Sequence, residues 1–295
     1  GLNQGVDFVG GRSYQIQFDQ NVVPSDIQAG FGDLFKEGEN SMIPQVKKIG
    51  DDSQVIITTK YKIAENGPEV EEEIKSKLFA GTKSYFKEEI TIADFSSEVE
   101  DSNLGIVSER QVGPTIADDI KKSAVWAIIG SLIVIFLYIL SRFSKWQFSL
   151  GAVAAAFHDV LVVLAIFSIF YGVLPFSLEI DQAFIAAILT VIGYSLNDTV
   201  VVFDRIREYL KIKNKKTPMN EVVNEALNST LSRTVNTSLT TFFVLLVIFI
   251  FGGEVIQGFM FALLIGVVVG TYSSLFIATP LMMDSLSKSQ RREEE

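Results

Sequence analysis

Asp198 is the residue of this chain whose type and surroundings most demand a chemical explanation. It stands with Asn197 near one end of residues 181–203, DQAFIAAILTVIGYSLNDTVVVF, a run long enough to span hydrocarbon. An ionised side chain at membrane depth costs about 3 kcal/mol or more, and its retention there points to function. A carboxyl group that gains and loses a proton is what a machine driven by a proton gradient requires. A second polar pair, His158 and Asp159, lies in another apolar run, and His158 is the one histidine of the chain. Imidazole titrates near neutral pH and can relay protons. Packing, with a hydrogen bond to a neighbouring helix, explains it too and is the favoured reading. A single His–Asp pair offers too few ligands for a metal. No nucleophile accompanies it, so an intramembrane hydrolase is not expected, and neither is a cofactor.

The elements that must position these groups are membrane helices. Five apolar runs follow residue 120, at 123–141, 148–172, 182–203, 235–252 and 257–283. Each is near or above the roughly 18 residues that indicate a span. So many in so short a stretch leave nothing polar to cover a soluble core. Loop charge sets orientation. Arg142 and Lys145 lie in the first loop, and Arg205, Arg207, Lys211, Lys213, Lys215, Lys216 and Arg233 in the third connection. Lys288, Arg291 and Arg292 lie in the tail, while 173–181 and GGEVIQG carry no base. The alternation predicts a cytoplasmic C-terminus and a front domain outside, with Trp146 as an interfacial anchor. Within the 204–234 connection, Thr217 and Pro218 suit the start of a short helix whose Val222, Val223, Ala226 and Leu227 form a surface-lying apolar stripe.

The front is different. Residues 1–120 hold 11 Lys/Arg against 22 Asp/Glu, whereas 121–295 hold 14 against 13. An acidic face is the wrong sign for nucleic acid. The absence of cysteine leaves the redox compartment open. Residues 12–18 alternate as a half-buried strand, and Pro24-Ser25-Asp26 open a helix over 24–37. Strands are expected at 43–49 and 54–62 around a turn at Gly50-Asp51-Asp52. A helix over 69–80 and a strand over 104–112 follow. This β-α-β-β-α-β order predicts a ferredoxin-like α+β unit. Glu71-Glu72-Glu73 reads as a solvated helix face. With no catalytic constellation, the unit reads as a binding or mechanical module, not an enzyme. The expected layout is an extracytoplasmic domain at 1–112, a linker at 113–122, a bundle at 123–287 and a tail at 288–295.

Four segments resemble the signatures of one family. They are GVDFVGG at 5–11, VGPTIADDIKKSA at 112–124, AAILTVIGYSLNDTVVVFDRIREYL at 186–210 and LNSTLSRTVNTSLTTF at 227–242. In that order, and over nearly the whole chain, the sequence resembles the SecF family of protein-export membrane proteins, found also as the SecF half of fused SecDF. The family belongs with the resistance–nodulation–division transporters and has six spans per half. The resemblance thus implies a sixth span before Gly1 and a SecD partner, separate or fused upstream. It implies the bacterial cytoplasmic (inner) membrane, a periplasmic front domain, and a role in moving preproteins through the Sec channel with the proton-motive force. It also implies proton passage at Asp198 of the NDT motif and Arg233 of the SRT motif. Asp7, Phe8, Gly10 and Gly11 fall in the first signature; by themselves they read as a tight turn joining a span to the domain.

Helix rise places Asp198 about 25 Å and Arg233 about 27 Å below the outer surface, so the two are expected to face each other. Tyr194 stands one turn above Asp198. Ser229, Thr230, Ser232, Thr234, Thr237, Ser238, Thr240 and Thr241 surround Arg233 in sequence. Asn197, Tyr194, His158, Asp159 and Thr237 are candidate secondary members of a polar relay. Burial favours the protonated acid and a nearby guanidinium the ionised one. A movable Arg233 would therefore switch Asp198, whereas a static pair would merely pin two helices. Gly130, Gly193, Gly266 and Gly270 are expected at close helix contacts. The function expected is a proton-driven accessory subunit of the Sec translocase, in which proton passage near Asp198 and Arg233 drives a swing of the outer domain that hinders backsliding of the preprotein. The rivals are a passive scaffold and a lipid or small-molecule exporter of the same superfamily.

Overall fold

The computed structural model describes residues 2–37, 40–49, 52–65, 67–96, 104–171, 173–174, 176–212, 217–252 and 254–294; the side chains of 37, 40–41, 254–255 and 287–294 are not described. The turn expected at Gly50-Asp51, the bases Lys213, Lys215 and Lys216, and the side chains of Lys288, Arg291 and Arg292 fall outside that description.

A short helix α1 (Val6–Val9) leads through Gly10 and Gly11 into β1 (Gly11–Gln17). Both glycines have positive φ, +70° and +139°, and a Cβ on them would lie 2.8 Å from Ile63 Cδ1 and 2.9 Å from Thr59 O. The junction thus needs residues without side chains. Next come α2 (Pro24–Phe31), the ribbon β2 (Lys36–Glu37) and β3 (Asn40–Ser41), β4 (Gln45–Lys48), β5 (Gln54–Thr59), α3 (Pro68–Thr82), α4 (Ile92–Ser96) and β6 (Gly105–Val112). Helix α2 stops six residues short of expectation because Gly32, at φ +38°, turns the chain. The main sheet runs β4-β5-β1-β6, antiparallel throughout.

Strand alternation gives the sheet two unlike faces. Tyr14, Ile16, Val55 and Ile57 pack against Ile27 and Phe31 of α2 and Ile74 and Leu78 of α3. The other face presents Ser13, Gln15, Ile56, Ser108 and Arg110 to a cavity of about 210 Å³ above the helical bundle. Arg12, 2% exposed, lies on the helix side with Tyr14 and Ile16 and holds the 61–65 turn by donating to the carbonyls of Tyr61 (3.1 Å), Lys62 (3.0 Å) and Glu65 (2.7 Å). The acid run on α3 is more than a solvated face. Glu71 accepts from the Tyr14 hydroxyl at 2.6 Å, and Glu73 from Lys62 at 2.7 Å and Tyr61 at 2.8 Å. Lys62, then Tyr61, hold the Glu73 carboxyl down at about 2. Of the three, Glu72 alone is exposed.

The bundle comprises α5 (Pro114–Phe143), α6 (Trp146–Phe170), α7 (Gln182–Ile212), α8 (Met219–Phe251), α9 (Glu254–Ser273) and α10 (Thr279–Glu294). Helices α9 and α10 are joined by a wider π-type turn, Ser274–Ala278, so that five spans long and apolar enough to cross a membrane result. In the apolar windows of α5 and α8, 11% of residues are buried, against 44% in α7 and 50% in the last span. Trp126, Val134, Val247 and Phe251 stand exposed on those outer helices, as lipid-facing side chains do. Helices α7 and α9 form the centre.

Two boundaries differ from expectation. The segment 113–122 is not a linker. Gly113 and Pro114 start α5, and the polar residues of this segment are its largely solvent-exposed first turns. Nor is there a separate surface helix at 217–227. It is the beginning of α8, its cap is Pro218 without a side-chain hydrogen bond from Thr217, Val222 is buried, and Val223 and Ala226 are buried with Val202, Phe203 and Ile206 of α7.

Candidate functional site

Among the described residues of the bundle, two carboxylates are buried, at 0% (Asp159) and 4% (Asp198) exposure. Asp159, on α6, is held by three side chains. Ser195 of α7 and Ser273 of α9 donate to its Oδ2 at 2.6 and 2.8 Å, and His158 Nδ1 lies 3.1 Å from Oδ1. The knot extends by one turn. Ser274 donates to the Ser195 carbonyl (3.1 Å), as does Thr199 (3.0 Å), and the Thr199 and Ser274 hydroxyls lie 2.8 Å apart. Such a close approach of α7 and α9 requires small residues. A Cβ on Gly266 would lie 2.0 Å from Val191, and one on Gly270 3.0 Å from Ser195. The π-type turn begins at Ser274, within this knot. Gly130 and Gly193, expected at similar contacts, meet nothing within 4 Å because they face outward. Gly151, not singled out from sequence, does meet a neighbour: its Cβ would lie 2.5 Å from the Ala278 carbonyl.

Asp198 sits three residues beyond Ser195 on α7 and looks toward α8. Thr271 of α9 donates to Ser238 of α8 (2.6 Å), which donates to Asp198 Oδ2 (3.1 Å). Arg233 is not the partner: among the described residues no ion pair joins it to Asp198. From Arg233 to Ser238 is five residues, about 140° around the helix. Arg233 is exposed, and lines an open groove of about 750 Å³ with Val201, Asp204, Arg205, Lys211 and Thr230 at the end of the bundle away from the domain. A stripe of hydroxyls at four-residue spacing, Thr230, Thr234 and Ser238, runs on the buried face of α8 from that groove to the carboxylate. The Thr234 hydroxyl, in the middle, has no hydrogen-bond partner. Toward the domain, the core beside α7 is apolar, built from Phe184, Ile188, Val191 and Ile192 with Phe167 and Leu178.

The remaining candidates divide. Asn197 is exposed and takes no part in the network. Tyr194 donates to the Thr237 carbonyl at 3.3 Å, and the Thr237 hydroxyl bonds back to its own helix, so neither touches Asp198. Asp7, Phe8, Gly10 and Gly11 lie at the opposite end, where Asp7 Oδ2 accepts from the Gln182 N–H at the start of α7 (3.1 Å) and Phe8 is buried with Phe184. Ser195, Thr199, Thr271, Ser273 and Ser274 escaped the sequence reading. The signal available was the four-residue spacing of small residues Gly266, Gly270 and Ser274.

The family described as "Protein export membrane protein SecD/SecF, C-terminal" matches residues 91–288, and the "SecD/SecF GG Motif" family matches residues 1–22. A protein translocase subunit SecF from Rhodothermus marinus is 44% identical over 99% of this chain and 86% of its own. One from Thermodesulfovibrio yellowstonii is 39% identical over 95% and 83%. The crystal structure of SecDF, a translocon-associated membrane protein from Thermus thermophilus, superposes with a TM-score of 0.76 at 30% identity over 97% of this chain. A second SecDF structure, in a super-membrane-facing form, gives 0.62. The chain spans about a third of those SecDF chains, 34% and 36%.

Proposed function

Because this chain belongs to the SecF family of protein-export membrane proteins, we propose that it acts as an accessory subunit of the Sec translocase, paired with SecD, and couples proton passage at Asp198 to export of preproteins. The domain faces the periplasm and the basic end of the bundle the cytoplasm, in keeping with loop charge. The observation that carries the reading is the buried Asp198 carboxyl, reached from a basic groove by the hydroxyls of Thr230, Thr234 and Ser238. A water beside Thr234 would pair its orphan hydroxyl and join the steps of that ladder.

Asp198 therefore exchanges protons with the cytoplasmic side in this conformation, while Phe184, Ile188, Val191 and Ile192 close it from the other. Use of the gradient requires a second conformation with the opposite access. Arg233 acts from the groove. As a permanent cation beside the route it repels hydronium-like charge unless Asp198 is ionised, and so favours release of the proton inward. One charge crossing 100 mV releases about 2.3 kcal/mol, enough to bias a conformational equilibrium about 50-fold. Asp159 ties α6, α7 and α9 together, with His158 packed beside it.

The test is export driven by an imposed gradient in vesicles holding the assembled translocase. Asp198→Asn and Arg233→Met are each expected to abolish the gradient-dependent part while leaving assembly intact. Normal gradient dependence in both variants would leave the passive scaffold standing instead.

A further inference from the structure

The attachment of the outer domain has the form of a hinge with a catch. Its two chain connections leave from neighbouring strands: β1 begins at Gly10–Gly11, β6 ends at Val112–Gly113, and Gly11 pairs with Val112. Below this line the chain is fixed to the bundle. Phe8 is buried with Phe167, Leu178 and Phe184, and Gly5 N–H donates to the Ile180 carbonyl (2.9 Å) while Ile180 N–H donates to that of Asn3 (2.8 Å). Above it the sheet rests on the bundle through a polar face over the 210 Å³ cavity, with no apolar seal among its sheet residues except Ile56. Strand β4 forms the opposite edge of the sheet. There Lys47 pairs with Glu179 in the loop before α7, and its ammonium lies 5.6 Å from the Tyr171 ring centre. Both side chains of the pair are about three-quarters buried.

We propose that the outer domain rotates as one body about Gly10–Gly11 and Gly113, and that the Lys47–Glu179 ion pair is the catch that holds its far edge on the bundle. A wet, polar interface is separable at small cost, which makes relative motion the default for such a pair of units. The catch engages the loop that leads directly into α7, the helix of Asp198, so displacement of α7 bears on it. The inference rests on the proposed coupling of proton passage to export, but the device itself is a property of the fold.

The chain has no cysteine, so labels can be placed on Ser76→Cys, exposed on α3, and Val173→Cys, exposed at the outer end of α6. Distances between spin labels are measured in the assembled complex in vesicles, without a gradient. The unaltered pair should give mainly one short distance. Lys47→Glu should raise a longer-distance population by roughly 5-fold, the equivalent of an ion pair worth about 1 kcal/mol. Lys47→Glu with Glu179→Lys should restore the short distance. Gly113 has φ −69° and open space about its Cβ, so Gly113→Pro fits without strain and should suppress the longer population that Lys47→Glu creates. An unchanged distribution in Lys47→Glu, or no recovery on charge exchange, removes the catch. A longer population undiminished by Gly113→Pro removes the pivot. Because no gradient is applied, these distances stand apart from the fate of Asp198→Asn: loss of the proton reading leaves them intact, and a failed hinge leaves that reading intact.

Discussion

Asp159 and Asp198 are the same residue type, both buried and one helix apart, yet they are held in opposite ways. Asp159 receives two serine hydroxyls on one oxygen and faces an imidazole with the other, from three helices closed around it by Gly266 and Gly270. Asp198 rests on Ser238, backed by Thr271, beside a stripe of hydroxyls that opens to a groove. A carboxylate whose acceptor sites are filled from several sides is fixed in place. One with a sparse shell and a route to water can change its proton. Burial alone does not separate a structural acid from a working one; the number and origin of its donors does.

The contrast can be broken at several points. The largest effect is expected from Asp198→Asn, with a fall of about 50-fold in the gradient-driven bias and little change in stability, because an amide oxygen still accepts from Ser238. Asp159→Asn should leave export within about twofold: the amide oxygen accepts both serines and its NH₂ meets His158 Nδ1. Equal losses from the two would erase the distinction. Asp159→Ala should destabilise the bundle by about 3 kcal/mol in thermal unfolding in detergent, since two serine hydroxyls lose their acceptor in a site that cannot admit water freely. Asp198→Ala should cost about 1 kcal/mol. Thr234→Val removes the middle hydroxyl of the stripe at nearly constant shape, and proton uptake by vesicles should slow about threefold, with Thr234→Ser restoring it.

The smallest effect concerns a third acid, Asp181, at the domain end. Its Oδ1 accepts from the Phe184 N–H at 2.7 Å as a cap of α7, but burial, and then Asp7 and Glu179, push its carboxyl above the usual range. A raised folded value means that ionisation opposes folding: the stabilising protonated form is complete below about pH 4 and is lost as pH rises through the folded value. Asp181→Asn keeps a capping oxygen and removes the charge. Its unfolding temperature should exceed that of the parent by a degree or two at pH 8 and match it at pH 4.

What the sequence made legible was run length and period. Unbroken apolar runs marked five spans, and the alternation of RSYQIQF marked the central strand of the domain. Rise per residue set Asp198 and Arg233 within a turn of the same depth, but the residue of α8 level with Asp198 is Ser238, five residues and more than one turn from Arg233. It could not place them around their axes, and at 100° per residue Arg233 stands on a different side of α8 from Ser238. Asn197, adjacent to Asp198, fails for the same reason. Glycines were legible as small but not as facing: Gly266 and Gly270 meet α7, whereas Gly130 and Gly193 face away. The serine knot was hidden because serine is common at helix surfaces, and its meaning comes only from a carboxylate donated by another helix. The segment 113–122, expected as a linker, is the polar start of a long helix, whose first turns carry no apolar run to mark them.

The widened turn at Ser274–Ala278 has its own consequence. A helix that takes in one additional residue resumes about 100° out of phase with its first half. Upstream, Gly270 and Ser273 are phased toward α7 and Asp159; downstream, Met282 and Leu286 are phased into the greasy cluster of Phe143, Phe148 and Phe203. The last span is therefore two half-helices with separate rotational settings, spliced in mid-membrane. Excising a single residue from the splice would leave an uninterrupted helix of adequate length, but one that could satisfy either the acid above or the aromatic cluster below, never both.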